Sequence, residues 1–319
     1  MHYKKYIKTF IGYFLIPLGK AYTKNALTVF CFHDVNKNPS EFSSNFHLNV
    51  PPDIFETQVK FIAENFNVID VDSLLNSEIP EQAALITFDD GFKSYFTDAV
   101  PILTQNDLPS VNFLNIAPIE GEVFWSGLIT YLCEKSPEFI EYINLNHKDK
   151  SENIPIYLKC SRNIINSFLK ITDKTYRKEV DDFVGELATK KDLISVSSNK
   201  LVFFGNHLYN HDVPLLLTNK ELLESYFSNE NKLKMYSNYR NIFAFPFGQP
   251  ITCFSDAQIK ILKDAGAKKI FSAYPIVNKP KYTDYLHRIP IYSMNDRHSS
   301  IWFSIMRNTI DRSVRNNIY

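Results

Sequence analysis

Two adjacent aspartates, Asp89 and Asp90, stand directly after a short apolar run at Ala84–Phe88. The run has the composition of a buried β-strand, and α/β proteins place their chemistry at the carboxyl ends of such strands. Neighbouring carboxylates repel each other, and a nearby cation would relieve that repulsion. The pair therefore indicates a cation site at the end of this strand.

Two histidines, His207 and His211, lie four residues apart after another apolar run. At this spacing a helical turn places both imidazoles on one side, where they can bind one metal ion. One aspartate and two histidines make a three-ligand site that leaves a position open for water, as catalytic metal sites do. Mixed nitrogen and oxygen ligands favour Zn2+, with Co2+, Ni2+ and Fe2+ as alternatives.

These segments resemble the polysaccharide deacetylase family, carbohydrate esterase family four. Its three motifs stand in order as Thr-Phe-Asp-Asp-Gly at Thr87–Gly91, His-x-x-x-His at His207–His211 and a Pro-aromatic-Gly turn at Pro246–Gly248. Their order and approximate spacing agree over residues 27–291. Two segments are most similar to those of the branch that deacetylates poly-N-acetylglucosamine and related bacterial exopolysaccharides: Phe32–Val35 and Leu286–Pro290.

The resemblance implies separate roles for the two aspartates. Asp90, with His207 and His211, would bind the divalent metal, and Asp89 would be the general base that takes a proton from the attacking water. The cation would offset the repulsion between the carboxylates and keep Asp89 ionised. The alternative is that Asp89 only caps the following helix.

The third motif implies an oxyanion site. The family takes one donor from the backbone N–H of the residue after the proline, here Phe247 after Pro246. Well-known members have an arginine two residues before this proline that orients the catalytic aspartate, whereas this chain has Ala244. The partner of the catalytic aspartate is therefore left open between Lys93 and Arg288.

The family also uses a late histidine to protonate the departing amine. His287 is best placed by its order in the chain, with His33 and His298 as alternatives. Asp212 replaces the proline that usually follows the second motif, so the local loop shape can differ. Trp125 resembles a Phe-Trp segment of related deacetylases and can stack on a sugar ring or belong to the core. We expect substrate contacts from four residues: His33, Trp125, Pro246 and Arg288.

The elements that must position these residues alternate between strands and helices, which predicts parallel βαβ units. The resemblance adds that these units form a distorted, incomplete (β/α) barrel, as an α/β fold of the polysaccharide deacetylase type. The predicted strands are Leu27–Phe32, Val68–Val71, Ala84–Phe88, Ser110–Leu114, Leu201–Phe204, Ile242–Phe245, Lys269–Ala273 and Tyr285–Ile291. One crossover helix is predicted at Tyr95–Gln105.

Residues 116–199 depart from this alternation, because helical patterns occur there without a strand between them. We interpret this stretch as a helical insertion within a deacetylase barrel that spans residues 27–319. Two roles are open for it: padding against the side of the barrel, or a cap that forms one wall of the substrate groove.

Residues 1–26 combine lysines with a short apolar run that is too short to span a bilayer. A terminal helix that packs on the barrel or lies on a membrane surface is favoured over a secretory leader. A cytoplasmic or peripheral membrane location is accordingly favoured, with secretion to the cell envelope as the alternative.

The composition limits the size of the core, the class of binding partner and the state of the cysteines. The chain has 319 residues, 45% hydrophobic, which is enough for one large core, and its 35 basic and 35 acidic residues give no net charge that would favour nucleic acid. The four scattered cysteines indicate free thiols, mostly buried.

The resulting hypothesis is a metal-dependent hydrolase that removes N-acetyl groups from amino-sugar units of a polysaccharide or glycoconjugate. The substrate would bear N-acetylhexosamine. Two alternatives are an O-acetyl carbohydrate esterase with the same site and a catalytically inactive homologue that binds metal or sugar.

Overall fold

The computed structural model describes residues 16–146, 154–279 and 284–315, with side chains described up to residue 307. Within these residues the strands are β1 (Leu27–Phe32), β2 (Asn67–Val68), β3 (Ala83–Asp89), β4 (Ser110–Leu114), β5 (Val202–Asn206), β6 (Tyr239–Ala244), β7 (Lys269–Phe271), β8 (Tyr285–Leu286) and β9 (Ile289–Pro290).

The strands form one parallel sheet in the order β8-β7-β6-β5-β4-β3-β1-β9, with β2 beside the start of β3. Its two outer strands, β8 and β9, are neighbours in the chain, separated only by His287 and Arg288. The chain therefore passes from one edge of the sheet to the other at this point. The expected fold class, a distorted and incomplete (β/α) barrel, is confirmed, but the single strand predicted at Tyr285–Ile291 is two short strands on opposite edges.

Alternate residues of each strand face the barrel interior, because strand side chains point in turn to opposite faces. Leu27, Val29 and Leu85 join one buried apolar cluster with residues of β4, β5, β6, β7 and β8, which can meet only inside the barrel. Residues of opposite parity, such as Phe30 and Phe88, pack outward in a second cluster with the helices. The inner face of β3 therefore ends at Asp89.

The helices lie around this sheet, and several begin with a recognisable cap. Thr218 and Glu221 form a capping box at the start of α12, as Ser255 and Gln258 do at α13. The helices are α1 (residues 16–23 of the described chain), α2 (Glu41–Asn45), α3 (Pro52–Asn65), α4 (Val71–Leu75), α5 (Val100–Gln105), α6 (Ile116–Ile119), α7 (Trp125–Lys135), α8 (Pro137–Asn146), α9 (Arg162–Thr172), α10 (Arg177–Val184), α11 (Lys190–Ser195), α12 (Asn219–Leu233), α13 (Asp256–Asp264) and α14 (His298–Arg315).

The crossover after β3 is not one regular helix. Tyr95–Ala99 is a π-helical turn that continues into α5. Pro101 has no N–H to donate and its ring crowds the carbonyl group of the preceding turn, and a wider turn before it gives that ring room.

The stretch between β4 and β5 contains helices α6 to α11 and a 3-10 turn at Ile156–Leu158. Helices α7 to α10 have an apolar core of their own, which also includes Phe42 and Phe92 from the barrel side. The insertion is therefore anchored to the loops at the carboxyl ends of β1 and β3, next to the carboxylates.

At the amino-terminal end, α1 packs on α14. A Cβ at Gly19 would lie 2.5 Å from the Trp302 ring, so this close approach requires glycine. Lys4, Lys5, Lys8 and most of the apolar run of segment 1–26 lie outside the described residues, and the expected membrane contact stays a prediction. No helix among the described residues combines the length and the apolar character that crossing a bilayer requires.

Candidate metal centre

Asp90, His207 and His211 converge at the carboxyl ends of β3 and β5. The Asp90 Oδ1 atom lies 3.0 Å from His211 Nε2 and 3.5 Å from His207 Nε2. Donor atoms of a tetrahedral zinc ion, with bonds of roughly 2.0–2.2 Å, lie about 3.4 Å apart. The three side chains therefore match the spacing of one small coordination sphere, and all three are buried.

A loop, not the expected helical turn, brings the two histidines together. Leu208 and His211 both have left-handed backbone angles, with φ of 60° each, which interrupt helical hydrogen bonding. The Asn115 side-chain amide holds the loop by donating to the carbonyl groups of His207 and Leu208, the latter at 2.8 Å. The two imidazole centroids lie 4.9 Å apart as a result.

The hydrogen bonding of these residues leaves their metal-facing atoms available. His207 Nδ1 lies 2.8 Å from the Ala244 carbonyl oxygen, a contact that fits hydrogen on Nδ1 and a lone pair on Nε2. Asp90 Oδ1 is buried and accepts no hydrogen bond from the described residues. A buried carboxylate oxygen without a donor, facing two imidazole nitrogens, fits a divalent cation.

Burial alone would raise the pKa of Asp90, but the imidazoles of His211 and His207 hold the pKa of this carboxyl well below its ordinary value. A lowered pKa favours the ionised form that a metal ligand requires.

Asp89 forms a bidentate ion pair with Arg288, with distances of 2.6 Å from Nη1 to Oδ1 and 2.7 Å from Nη2 to Oδ2. Burial acts to raise the pKa of Asp89, but Arg288, followed by His207, outweighs it and keeps this pKa below its ordinary value. Lys93, the other candidate partner, is at the surface and pairs with Glu186 at 2.6 Å. Of the two candidate partners, Arg288 is therefore the one that pairs with Asp89.

Arg288 reaches Asp89 because it lies between the two edge strands with its side chain in the barrel interior. It is fully buried, and its Nε donates to the Ser272 carbonyl at 3.1 Å. A buried bidentate pair of this kind fixes the position of the carboxylate. The Asp89 Oδ2 atom also lies 3.7 Å from the Cys31 thiol, a neighbour that sequence reasoning missed although Cys31 has the inward parity of β1.

The third motif forms a tight turn over the metal site. Phe247 is left-handed, with φ of 59°, and its ring centroid lies 4.7 Å from that of His211. Gly248 follows with φ of 64°, and a Cβ there would lie 2.6 Å from the backbone nitrogen of Ala273. Pro246 is buried below the turn. The turn therefore sets the position of the Phe247 backbone, while Pro246 shapes the turn and does not line the cavity.

Of the three histidines considered as proton donors, only His33 reaches the carboxylates. Its Nε2 lies 3.9 Å from Asp89 Oδ2, and it lines the cavity in front of the site. His287 lies 2.8 Å from Ser272 Oγ through its Nδ1 atom and is not among the lining residues. His298 is exposed and packs on Phe61. The His287 side chain points away from the cavity, because successive side chains of an extended segment alternate and the next one, Arg288, points into the barrel interior.

Trp125 does not line the cavity either. It is 8% exposed and lies under the guanidinium of Arg162, which is 4.4 Å from the ring centroid. The same guanidinium pairs with Asp212, with Nε 2.6 Å from Oδ1. Asp212, the residue after His211, thus ties the loop that contains both histidines to α9 of the insertion. Trp125 supports this contact, so a sugar-stacking role is not supported by its position.

A cavity of about 220 Å³ lies in front of the two aspartates and the two histidines of the centre. Ser126 and Thr130 of α7 and Tyr157 of the 3-10 turn form one wall, and Phe42 and Phe46 after β1 form another. The insertion therefore contributes a wall of the cavity, one of the two roles expected for it. Surface clefts of about 480 and 560 Å³ lie elsewhere, and neither is lined by a metal-ligating group found in the described chain.

Comparison with known proteins gives a consistent result at the level of fold. No protein-family model matches the chain. No curated protein matches it either. Among solved structures, IcaB from Ammonifex degensii is 15% identical with a TM-score of 0.60, and the match covers 88% of this chain and 97% of IcaB.

Two further structures agree. A de-N-acetylase from Aggregatibacter actinomycetemcomitans is 16% identical with a TM-score of 0.58, covering 88% of this chain and 99% of that one. BC0361, a polysaccharide deacetylase from Bacillus cereus, is 14% identical with a TM-score of 0.55, covering 86% and 69% respectively. At these identities the likeness establishes the fold, and the chemistry depends on the residues of this chain.

Proposed function

We propose that this chain, which has the fold of the polysaccharide deacetylases, is a metal-dependent hydrolase that removes N-acetyl groups from amino-sugar units of a polysaccharide or glycoconjugate, with Zn2+ as its metal. One observation carries the proposal: Asp90 faces two imidazoles beside a second carboxylate, Asp89, that is paired separately with Arg288. One aspartate is thus available to the cation and the other to a proton.

Asp89 is suited to be the general base. Arg288 and the neighbouring imidazoles keep it ionised, so it can accept a proton from a water molecule that attacks the acetamide carbonyl. The bidentate pair holds the carboxylate in one orientation, which reduces the reorganisation needed during proton transfer. A divalent cation bound by Asp90, His207 and His211 would supply Lewis acidity to the carbonyl and lower the pKa of water.

The remaining steps use Phe247 and His33. The backbone N–H of Phe247 would donate a hydrogen bond to the carbonyl oxygen as it becomes negative. His33 would give a proton to the amine nitrogen as the carbon–nitrogen bond breaks, so that acetate and a free amino sugar leave. Its position beside Asp89 supports this assignment over His287.

Acetate release is the direct test. The purified protein is expected to release acetate from N-acetylglucosamine oligomers and much less from acetylated xylan, measured by an enzymatic acetate assay. The reverse preference would indicate an O-acetyl esterase. No release from either substrate, with metal bound at the centre, would indicate a binding protein and reject the proposal.

The role of His33 gives a sharper prediction. His33→Gln is expected to lower turnover of an N-acetylated sugar by ~10²–10⁴-fold, because the amine cannot leave without a proton. Hydrolysis of nitrophenyl acetate should change far less, because nitrophenolate leaves unprotonated. The comparison of the two rates is the measurement, with His287→Gln as the matched control. Equal losses on both substrates would show that His33 has only a structural role.

A further inference from the structure

A second group of metal-ligating side chains lies beside the centre described above. The Cys31 thiol, the His33 imidazole and the Asp89 carboxylate each offer one donor atom, and these atoms all lie within 4.8 Å of one another. Cys31 and Asp89 are buried, and His33 is partly exposed. All three line the cavity in front of the two aspartates, so an ion can reach them from that cavity. The group shares no residue with the three ligands of the first centre.

The distances within this group are close to those of a single coordination sphere. Asp89 Oδ2 lies 3.7 Å from Cys31 Sγ and 3.9 Å from His33 Nε2. A tetrahedral ion with a bond of about 2.3 Å to sulfur and roughly 2.0–2.2 Å to nitrogen and oxygen holds such donor atoms about 3.4–3.6 Å apart. Both measured distances are slightly longer than this spacing, so small side-chain adjustments bring the atoms to bonding distance of one ion.

The Asp89 Oδ2 atom has an electron pair available for such an ion. It accepts one hydrogen bond from Arg288 Nη2 at 2.7 Å, and the Cys31 thiol is its second donor. A carboxylate oxygen has two lone pairs, so an ion that replaces the thiol hydrogen leaves the Arg288 pair in place. In this exchange the sulfur–hydrogen bond breaks, the proton passes to water or buffer, and a sulfur–metal bond forms. No electron is transferred.

The sulfur donor determines which ions suit the group. Burial raises the pKa of the Cys31 thiol, and Arg288, which lowers it, only partly offsets this effect. Only a cation with a strong affinity for sulfur displaces a proton held in this way. Thiophilic divalent ions such as Zn2+ and Cd2+ meet that condition, whereas Mg2+ prefers oxygen ligands.

We propose that Cys31, His33 and Asp89 form a second, inhibitory site for a thiophilic divalent cation. The Arg288 guanidinium and an ion at the first centre repel this cation, so the site fills only when the ion is in excess. Binding at the site is independent of enzymatic activity, whereas the inhibition rests on the proposed deacetylase function. An ion here occupies an oxygen of the proposed base, Asp89, and a nitrogen of the proposed acid, His33, so neither can transfer a proton.

Ultraviolet absorption tests binding without reference to activity. The Zn2+-loaded protein is titrated with Cd2+, whose bond to a thiolate gives a charge-transfer band that nitrogen and oxygen ligands do not give. Cys31→Ser is expected to lose the part of this band that belongs to the site, and His33→Gln to weaken the Cd2+ affinity of that part about tenfold or more. Cys133→Ser, which removes a thiol of α7 at an outer cleft, is the matched control and should keep that part.

Acetate release tests the inhibition. Excess Cd2+ is expected to stop turnover of the parent and of Cys133→Ser, while Cys31→Ser should need about tenfold or more Cd2+ for the same fractional loss. Each rate is compared with that of the same protein without added Cd2+, and Mg2+ at the same concentration should have no effect. Inhibition of Cys31→Ser at the parent Cd2+ concentration would show that Cd2+ acts elsewhere, as by replacing the resident ion, and would overturn the proposal.

Failure of the site and failure of the function have different readouts. A parent protein without a band that depends on Cys31 overturns the second site and leaves the deacetylase proposal intact. A protein that shows the band but releases no acetate supports the site and rejects the deacetylase function. If Cys31→Ser does not fold, as judged by its thermal transition, Cys31→Ala takes its place, and the His33→Gln titration tests the site independently of either.

Discussion

Replacing both His207 and His211 with alanine is expected to abolish bound metal and to reduce acetate release to the background rate. Asp90 would then be the only remaining ligand of the centre among its three described members. A single carboxylate does not retain a divalent cation against water, because the coordination sphere depends on all of its protein ligands together. Metal content per chain, by elemental analysis after gel filtration, is the primary measurement.

The matched control is His298→Ala, which removes an exposed imidazole that packs on Phe61 away from the centre. It should leave metal content and rate at the parent values. A double-alanine variant that still contains one metal per chain would show that the cation binds elsewhere.

The second large effect is expected for Asp89→Asn, which should keep its metal and lose ~10²–10⁴-fold in turnover. The three ligands are untouched, so metal binding persists. Asparagine has the size of aspartate and its oxygen can still accept from Arg288, but it cannot take up the proton from water. Metal content and turnover are measured on the same preparation.

Asp72→Asn provides a control for the loss of an Asp–Arg pair as such. Asp72 forms a bidentate pair with Arg240, 2.5 Å from Nε and 2.8 Å from Nη2, at the partly exposed start of β6. This variant should turn over at the parent rate. If Asp89→Asn also matched the parent, the base would have to be another residue.

Strand periodicity predicted most of the framework. The first strand and Ser110–Leu114 have the bounds that the sequence predicts, because each is a short, mostly apolar run whose residues are all buried. The sequence predicts the three candidate metal ligands because the carboxyl ends of parallel strands bring distant residues together. The positions of Asp90, His207 and His211 agree with that reasoning.

The sequence alone determines the direction of the side chains at the chain crossing between β8 and β9. Leu286 is a buried core residue, so alternation along an extended segment sends His287 outward and Arg288 inward. The two cannot both face the site. This parity would have favoured His33 over His287 as the proton donor.

Other features depend on contacts between segments that share no local pattern. Tyr157 reaches Phe247 across 90 positions of the chain, and no periodicity links them. The histidine loop resembled a helical turn because spacing alone does not reveal left-handed residues such as Leu208 and His211. Local composition therefore predicts elements better than it predicts the shape of a cavity between them.

If the proposed function holds, the crossing between β8 and β9 has a consequence for when activity can appear. Arg288 and Asp89 are 199 positions apart, so their ion pair requires the segment between β8 and β9 to dock at the edges of the sheet. Until residues 285–290 have docked between the edges of the sheet, Asp89 has no guanidinium to neutralise its charge or to fix the orientation of its carboxylate. Catalytic activity would then appear late during maturation of the fold, and its onset would report that the last strands have docked.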